Sequence, residues 1–296
     1  MNVKKILIAI VSIAGSCSSF AQSNLLNARI PEEIGLKTDA QLISDNDKPL
    51  AYGYVHDRDV LMGKMTWEII DLNEKINFAL YFPVDTANIG PDRRSLYDVL
   101  TKAIKRGEIS EVYSDSYFNT KKSFKDIQAA LSRIDTTDAG REQINAGMSL
   151  SPEYILRSDL TAQDVTQYKI KGYWYFDKRQ SELKYRLLGI CPVTPDVYTM
   201  NEEEKDYVEL FWIFFPSARD VLHEAKAFNN KNSAMPISFD QILNSRRFNS
   251  VIYKEENVYG DRAIDEYMKD NAQNQLLESE RVKEKIRNFE QDMWNY

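Results

Sequence analysis

Hydrophobic residues recur every three or four positions in several segments of the chain, which predicts amphipathic helices. The predicted helices span residues 93–106, 124–134, 217–228 and 239–247. A further segment, residues 261–294, favours helix at almost every position and contains neither Gly nor Pro. Its apolar stripe is narrow and drifts without sustained heptads, which is typical of a helix that packs across a body or against another chain.

Alternation of apolar and polar residues predicts strands elsewhere in the chain. The clearest pattern is a hairpin, in which Tyr168–Phe176 is followed by a polar turn and Leu183–Leu187 returns. Met65–Ile70 and Phe78–Phe82 are shorter strand-like runs. The continuous apolar run Leu210–Phe215 is typical of a strand buried on both faces. Together these elements predict an α+β fold with mixed or antiparallel sheet elements, packed helices, an extended N-terminal arm and a long C-terminal helix.

The same patterns divide the chain into a leader, an arm, a body and a terminal helix. Residues 1–21 are predicted to form a signal peptide. Residues 22–51 are predicted to form an extended arm, because apolar residues are sparse there and no periodicity lasts. Residues 52–260 form the predicted α+β body, and residues 261–296 the C-terminal helix.

A weak internal repeat suggests two related lobes in the body, residues 52–160 and 161–260. Phe78–Pro83 followed by a predicted helix resembles Phe211–Pro216 followed by a predicted helix. A duplication explains this repeat. A chance similarity between short strand–helix units explains it nearly as well.

The N-terminal leader has the three parts of a secretory signal. Two lysines precede an apolar run, and Ser19–Ala21 supplies small residues just before Gln22, so we expect cleavage there. The mature protein would then lie outside the cytoplasm, where there is no ATP pool and thiols are oxidised. Alternatively, Cys17 lies in a loose match to a lipoprotein cleavage box, although Ala14 replaces the usual bulky aliphatic residue.

Charge and apolar length restrict the possible partners. The formal net charge is −7, and it becomes −9 once cleavage of the leader removes Lys4 and Lys5. An acidic chain lacks the basic surface that nucleic acid and anionic lipid require. No window of the mature chain approaches the roughly 18 apolar residues of a membrane helix. We therefore expect no nucleic-acid partner and no direct membrane insertion.

Few residues are candidates for catalysis or metal binding. His56–Asp59 could offer an imidazole and carboxylates to a divalent ion, but its spacing matches no ligand signature and favours a solvated loop. His223 lies on a predicted helix and is more typical of a surface or half-buried histidine. Cys191, the one thiol of the mature chain, is expected to be buried and inert because it lies in an apolar strand-like run. The acidic run Glu202–Asp206 is more typical of a hydrated loop than of paired catalytic carboxylates.

Known catalytic motifs are missing from the sequence. It contains no Gly-x-Ser-x-Gly motif, no local Cys–His arrangement and no glycine-rich phosphate loop. The sequence therefore predicts a protein that is not an enzyme, with no catalytic, cofactor-binding or metal-ligating residues and no cofactor.

An ordered set of segments in the body carries a family resemblance. The segments are Trp67–Asn77 with Leu80–Pro83, Leu96–Leu100, Tyr168–Tyr175, Arg186–Pro192 and Leu210–Pro216. Taken together over about residues 52–260, they resemble the family of the gliding-motility protein GldN, called PorN in non-gliding relatives.

The resemblance implies a non-enzymatic periplasmic subunit of the type IX secretion and gliding-motility machinery of Bacteroidetes. Members of the family associate with an outer-membrane lipoprotein, GldK or PorK, and neighbouring copies form a large ring. That ring contacts the periplasmic region of a motor subunit, GldM or PorM. The implied location is the periplasm, with peripheral attachment to the outer membrane through the partner protein. The alternative is a secreted hydrolase or carbohydrate-binding protein whose aromatic side chains stack on sugars.

Overall fold

The computed structural model describes residues 48–85, 93–136, 152–196, 206–229, 237–269 and 271–294, with single positions between 141 and 147 and at 199. The predicted signal peptide and all but the last residues of the predicted arm lie outside these ranges. The strands are β1 (Val60–Asp71), β2 (Ser132–Thr136), β3 (Ile155–Asp159), β4 (Gln167–Asp177), β5 (Glu182–Pro195), β6 (Tyr207–Glu209), β7 (Ile213–Phe214), β8 (Lys226–Ala227), β9 (Ile237–Ser238) and β10 (Val251–Glu255). The α-helices are α1 (Phe78–Tyr81), α2 (Leu96–Arg106), α3 (Phe124–Leu131), α4 (Phe215–Glu224), α5 (Phe239–Asn244), α6 (Ile264–Tyr267) and α7 (Ala272–Trp294).

One antiparallel sheet organises the described chain. Its strand order is β10-β1-β4-β5-β6, and β7 also pairs with β5. The predicted hairpin is confirmed as β4 and β5, which pair from Gln167↔Val193 to Asp177↔Glu182. The predicted α+β class, with an antiparallel sheet, packed helices and a long C-terminal helix, is also confirmed. Strands from both sides of residue 160 share this sheet, and the division into two related lobes stays a prediction.

The main sheet has two different faces because side chains alternate along each strand. Glu68, Ile170 and Ile190 pair across three strands and point to one side, which we call the helix face. The main hydrophobic core lies on this face, between the sheet and residues of α2, α4 and α5. Trp67 and Lys171 point to the opposite side, the loop face, where a smaller apolar cluster forms.

Local sequence fixes where two of the core helices begin and end. Ser95 and Ser238 precede α2 and α5, and their hydroxyl oxygens accept the N–H groups of Asp98 (3.3 Å) and Gln241 (3.1 Å). These bonds satisfy amides that have no partner inside the helix. Helix α2 ends at Gly107, whose φ of 76° suits glycine. The predicted helix at 93–106 is confirmed, and the one at 239–247 is confirmed with an earlier end.

The apolar run Leu210–Phe215 is not the single strand that its composition predicts. Only Ile213–Phe214 form a strand, and Phe215 already begins α4. Pro216 explains this start, because proline fits the first turn of a helix. The helix predicted at 217–228 therefore begins and ends earlier than expected.

Two other boundaries differ from prediction for reasons of tertiary contact. Phe78–Phe82 contains α1 instead of a strand, because the buried Asn77 fixes a turn before it. The Asn77 side chain donates to the Asp71 carbonyl (2.7 Å) and accepts the Asn249 N–H (2.9 Å). The helix predicted at 124–134 ends at Leu131, because the next residues pair with β3.

Helix α7 crosses the helix face of its own sheet. Near its start, Ser279 Oγ accepts the N–H of Ile252 in β10 (2.9 Å). Near its end, Phe289 contacts Phe176 of β4, with ring centroids 6.1 Å apart, and Glu290 accepts the Leu183 N–H of β5 (3.5 Å). Eleven residues of helix rise about 16 Å, and three strand spacings measure about 14 Å, so the two lengths match.

The narrow stripe of the C-terminal segment is thus buried within the chain. Val282 and Ile286 pack against Ile252 and the strands beside it. Of the two predicted uses of this stripe, packing across the chain's own body is the one observed. Ser279 and Lys283, which donates to the Ser250 carbonyl (2.9 Å), also occupy backbone groups at the edge of the sheet.

Candidate interaction surface

A short loop covers the loop face of the sheet. Tyr113–Lys121, which we call the strap loop, is joined to Trp212 by two backbone hydrogen bonds between Tyr113 and Trp212 (2.8 and 2.7 Å). The Asp115 carboxylate accepts the N–H groups of Tyr117 (2.8 Å), Asn119 (3.2 Å) and Thr120 (3.2 Å). Burial raises the pKa of Asp115, but the backbone N–H groups outweigh it and hold the pKa below its usual value. The Asp115 carboxylate therefore stabilises the turn of the strap loop.

Phe118 seals the strap loop against β5. Its ring lies over Gly189, where an added Cβ would come within 2.7 Å of Phe118 Cζ. The same ring meets Tyr113 and Phe214 edge-on, at centroid distances of 5.3 and 5.4 Å. Gly189 is required here because a side chain would displace Phe118.

Lys171 is buried beneath the strap loop, with 6% of its surface exposed. Its Nζ donates to the Ser116 carbonyl (2.9 Å) and lies 5.0 Å from the Trp67 ring and 4.7 Å from the Tyr117 ring. Desolvation lowers the pKa of Lys171, and the nearby Lys254 ammonium lowers it further. Aromatic faces and a carbonyl partly replace the water that this cation has lost. Lys171 therefore joins the strap loop to the sheet.

Lys254 and Tyr117 connect the strap loop to a second loop. Lys254 Nζ donates to the Tyr117 hydroxyl (2.9 Å), which in turn donates to Asp261 Oδ2 (3.0 Å). The Lys254 ammonium also lies 4.6 Å from the Trp67 ring. The two loops are therefore held as one unit above Trp67.

This second loop, Asn257–Asp261, projects apolar side chains into solvent and is called the finger loop. Asn257 Oδ1 accepts the N–H groups of Tyr259 (3.0 Å) and Asp261 (3.1 Å), and Asp261 Oδ1 accepts the Asn257 N–H (3.1 Å). Val258 is 92% exposed and Tyr259 is 74% exposed. Exposed apolar side chains on a fixed loop are typical of a protein-binding surface.

A second exposed apolar surface lies around α1. Ile76, Phe78 and Phe82 are exposed by 60%, 39% and 45%, and we call them the phenylalanine patch. The rings of Phe78 and Phe82 meet edge-on at 5.3 Å. Asn77 holds the patch against the start of β10, because its side chain bonds the backbone of Asn249.

An ion pair between a buried Glu68 and a half-buried Arg246 lies on the helix face. Arg246 binds the fully buried Glu68 through two hydrogen bonds (3.2 and 2.7 Å), and Ser250 Oγ donates to the same carboxylate (2.5 Å). The Arg246 guanidinium lies 4.1 Å from the Tyr185 ring and 5.0 Å from the Trp174 ring. Glu68 is thus used entirely in internal contacts.

The candidate residues for catalysis or metal binding do not lie together in one site. His56 is exposed and meets the Tyr54 ring edge-on (4.7 Å), and Asp59 Oδ2 lies 3.9 Å from Arg179. His223 is half-buried on α4. Across the described ranges, no three His, Cys, Asp or Glu side chains are grouped so that they could hold a metal ion. Within the acidic run, Glu202–Lys205 lies outside the described residues.

Cys191 is fully buried, as the sequence predicts, and it packs with Trp67 and Trp212. Its thiol lies 3.4 Å from the Pro192 carbonyl, and burial raises its pKa well above the usual value.

None of the helices in the described part of the chain has the length and apolarity to span a membrane.

An open groove of about 520 Å³ runs along α7 beside β10. Its lining is mostly charged and includes Glu255, Glu278, Arg281, Glu284 and Lys285. A substrate pocket is usually concave and lined mainly by apolar side chains, whereas this groove is open and most of its lining residues are charged.

Sequence reasoning did not identify the two apolar surfaces. One local signal existed, because Asn257 and Gly260–Asp261 enclose Val258 and Tyr259 in residues that favour turns. Lys171 could have been noticed as a cation within an aromatic strand. Its cage was not predictable, since Trp67 and Tyr117 come from distant segments.

A comparison with protein families supplies the identity of the chain. The model of the family described as gliding motility associated protein GldN matches residues 55–295, which is most of the chain. A search of curated proteins finds no significant match. The chain therefore belongs to the GldN family of gliding-motility-associated proteins, as its sequence resemblance implied.

Proposed function

We propose that this chain is a non-enzymatic structural subunit of the type IX secretion and gliding-motility machinery. It resides in the periplasm and is attached peripherally to the outer membrane through a lipoprotein of the GldK/PorK type. Neighbouring copies form a ring, and the ring contacts the periplasmic region of a GldM/PorM-type motor subunit. The chain has no catalytic residues and binds no cofactor or metal.

The observation that supports this proposal is the contrast between the interior and the two fixed apolar surfaces. Interior ionisable groups are used in structural contacts, as in Glu68 with Arg246 and Asp240 with Arg219 (2.8 Å). The finger loop holds Val258 and Tyr259 in solvent by hydrogen bonds within the loop. Apolar side chains that are held exposed to water are typical of surfaces that bind other proteins.

Fractionation of native envelopes tests the proposal. We expect the protein to sediment with outer membranes, to leave them in chaotrope, and to co-purify with a lipoprotein and a motor subunit. Its intact mass should correspond to a chain that begins at Gln22. Recovery from the culture medium as a free monomer would contradict the proposal and favour a secreted hydrolase or carbohydrate-binding protein. An acylated N-terminal Cys17 would show that the chain is itself a lipoprotein.

A further inference from the structure

The tip of the strap loop, Asp115–Asn119, is closed on itself by hydrogen bonds. The N–H groups of Tyr117, Phe118 and Asn119 all bond to Asp115, at 2.8, 3.3 and 3.2 Å. Among the described residues, no backbone-to-backbone hydrogen bond joins Asp115–Asn119 to a strand. The strap tip would therefore keep its internal hydrogen bonds if it moved away from the sheet.

The base of the strap loop is held differently from its tip. The Ser114 N–H bonds the Thr120 carbonyl (2.9 Å), and Tyr113 is bound to Trp212 through the backbones of both residues. The strap tip, in contrast, meets the sheet through side chains, which are its own rings and the ammonium of Lys171. A base held by backbone bonds and a tip held by side chains form a lid with a hinge.

Charge opposes the closed position of the strap tip. The closed tip keeps the Lys171 ammonium from water, which is costly for a cation even among aromatic rings. Lys254 adds repulsion, because the two ammoniums lie 5.0 and 4.6 Å from the same Trp67 ring. Three nearby acids attract Lys171 without outweighing desolvation, so its pKa stays below the usual value. These acids are Asp115, Asp261 and Glu256.

Backbone strain opposes the closed position as well. Phe118 adopts a φ of 62°, in the left-handed region that a bulky residue rarely occupies. In this conformation its ring lies over Gly189. Lifting the strap tip would lose that contact, but it would also let water reach the two ammoniums. The gain in hydration offsets part of the loss in contacts.

We infer that the strap tip is a lid, which lifts from the sheet and returns while the rest of the body stays folded. Lifting takes the Ser116 carbonyl away from Lys171 and the Tyr117 ring away from Trp67. An amine and an indole face then become accessible to solvent. A local opening of this kind requires less free energy than global unfolding. The inference goes beyond the proposed function and does not depend on ring formation.

Acetylation of Lys171 in the full mature chain measures the opening of the lid. The N-hydroxysuccinimide ester of acetic acid, used under single-hit conditions, reacts with amines that solvent can reach. We expect peptide mass spectrometry to show slower acetylation at Lys171 than at Lys178, which is exposed on the turn of the same hairpin. Dilute urea should barely change the Lys171 rate, because a local opening exposes little surface. The inference is overturned if the Lys171 rate has the steep urea dependence of global unfolding, which circular dichroism measures.

A methyl group added beneath the strap tip should push the lid open. The new Cβ of Gly189→Ala would lie 2.7 Å from Phe118 Cζ, whereas that of the control Gly63→Ala would lie 1.8 Å from the Tyr173 hydroxyl oxygen. Both changes overpack an aromatic side chain against a strand, but only the first displaces the strap tip. We expect Gly189→Ala to raise the Lys171 acetylation rate about tenfold, a usual effect of overpacking. Gly63→Ala should leave the rate nearly unchanged.

Two results with these variants would also overturn the inference. One is an equal rate in the wild type and Gly189→Ala, and the other is an equal rise in both variants. Circular dichroism checks that each variant is folded. If Gly189→Ala does not fold, the urea dependence of the wild-type rate decides between a lid and a static loop.

Discussion

At the scale of single residues, Glu68 is a buried charge that depends on its hydrogen-bond partners. Its carboxylate is fully buried, and Arg246 and Ser250 satisfy it with hydrogen bonds. The Arg246 guanidinium is itself enclosed by rings. Loss of either charge would leave the other without its partner in a site that water reaches poorly.

We therefore expect Glu68→Ala to lower the free energy of unfolding by about 3–5 kcal/mol, the usual cost of breaking a buried pair. Urea titration followed by circular dichroism measures this loss. Arg281→Ala is the matched control, because it breaks the exposed Arg281–Glu278 pair (3.3 Å). The control should change the unfolding free energy by less than about 1 kcal/mol. Equal losses in the two variants would show that the buried pair has no special role.

At the scale of elements, α7 completes the sheet. Ile286 is buried against Ile252, whereas Lys285 on the same helix is exposed. Ile286→Ala should cost about 2–5 kcal/mol of unfolding free energy, because it leaves a cavity between helix and sheet. Lys285→Ala is expected to be nearly neutral, and thermal melts of both variants test the difference.

Removal of residues 272–296 should leave an aggregating chain, and recovery of a folded monomer would contradict this role of α7.

The stability of the strap loop should depend on pH through the Asp115 carboxylate. Its lowered pKa means that its contribution is complete above about pH 4, the pKa of an unfolded aspartate, and is lost as the pH falls through the lower folded value. Asp115→Asn should expose the Tyr117, Asn119 and Thr120 amides at neutral pH. Hydrogen–deuterium exchange, expressed as protection factors, measures this change. Asp57→Asn, on an exposed turn, is the control, and equal protection in wild type and Asp115→Asn would refute the role of this carboxylate.

Elements with a strong local signal could be predicted from the sequence. Helix α2 has both a serine cap and a terminal glycine, and the β4–β5 hairpin alternates clearly. Contacts that depend on distant residues could not be predicted, such as the α1 turn that Asn249 fixes through Asn77. The crossing of α7 over four strands also had no local signal, because a narrow apolar stripe suits either its own body or another chain.

At the scale of the whole molecule, membership of the GldN family makes the chain a component of the gliding-motility and type IX secretion machinery. The body of the chain is anchored at its first described residues. The Tyr52 ring lies 4.6 Å from the Arg186 guanidinium and 4.1 Å from that of Arg219, and its hydroxyl donates to Asn244 (2.7 Å). Tyr52 is therefore held in place on the body by three contacts.

Deletion of residues 22–47 should consequently leave the body folded, because the Tyr52 contacts remain. We expect its circular dichroism spectrum and melting temperature to match those of the full mature chain. If the predicted arm wraps the lipoprotein, co-purification of the lipoprotein should fall. Tyr52→Ala in a chain that keeps the arm removes the Tyr52 contacts alone. This variant separates the role of those contacts from the role of the arm. Unchanged lipoprotein recovery after deletion would show that the arm is not an assembly element.

The pairing of β1 with β10, the first and last strands of the described ranges, has a consequence for the order of folding. Glu68 in β1 bonds Ser250, which lies 182 residues later in the chain. The backbone groups at the sheet edge are covered by Ser279 and Lys283, which come later still. Contacts this distant in sequence form slowly, because a long loop must close first. A chain synthesised from its N-terminus therefore cannot complete this sheet until β10 and the helix that covers its edge are present.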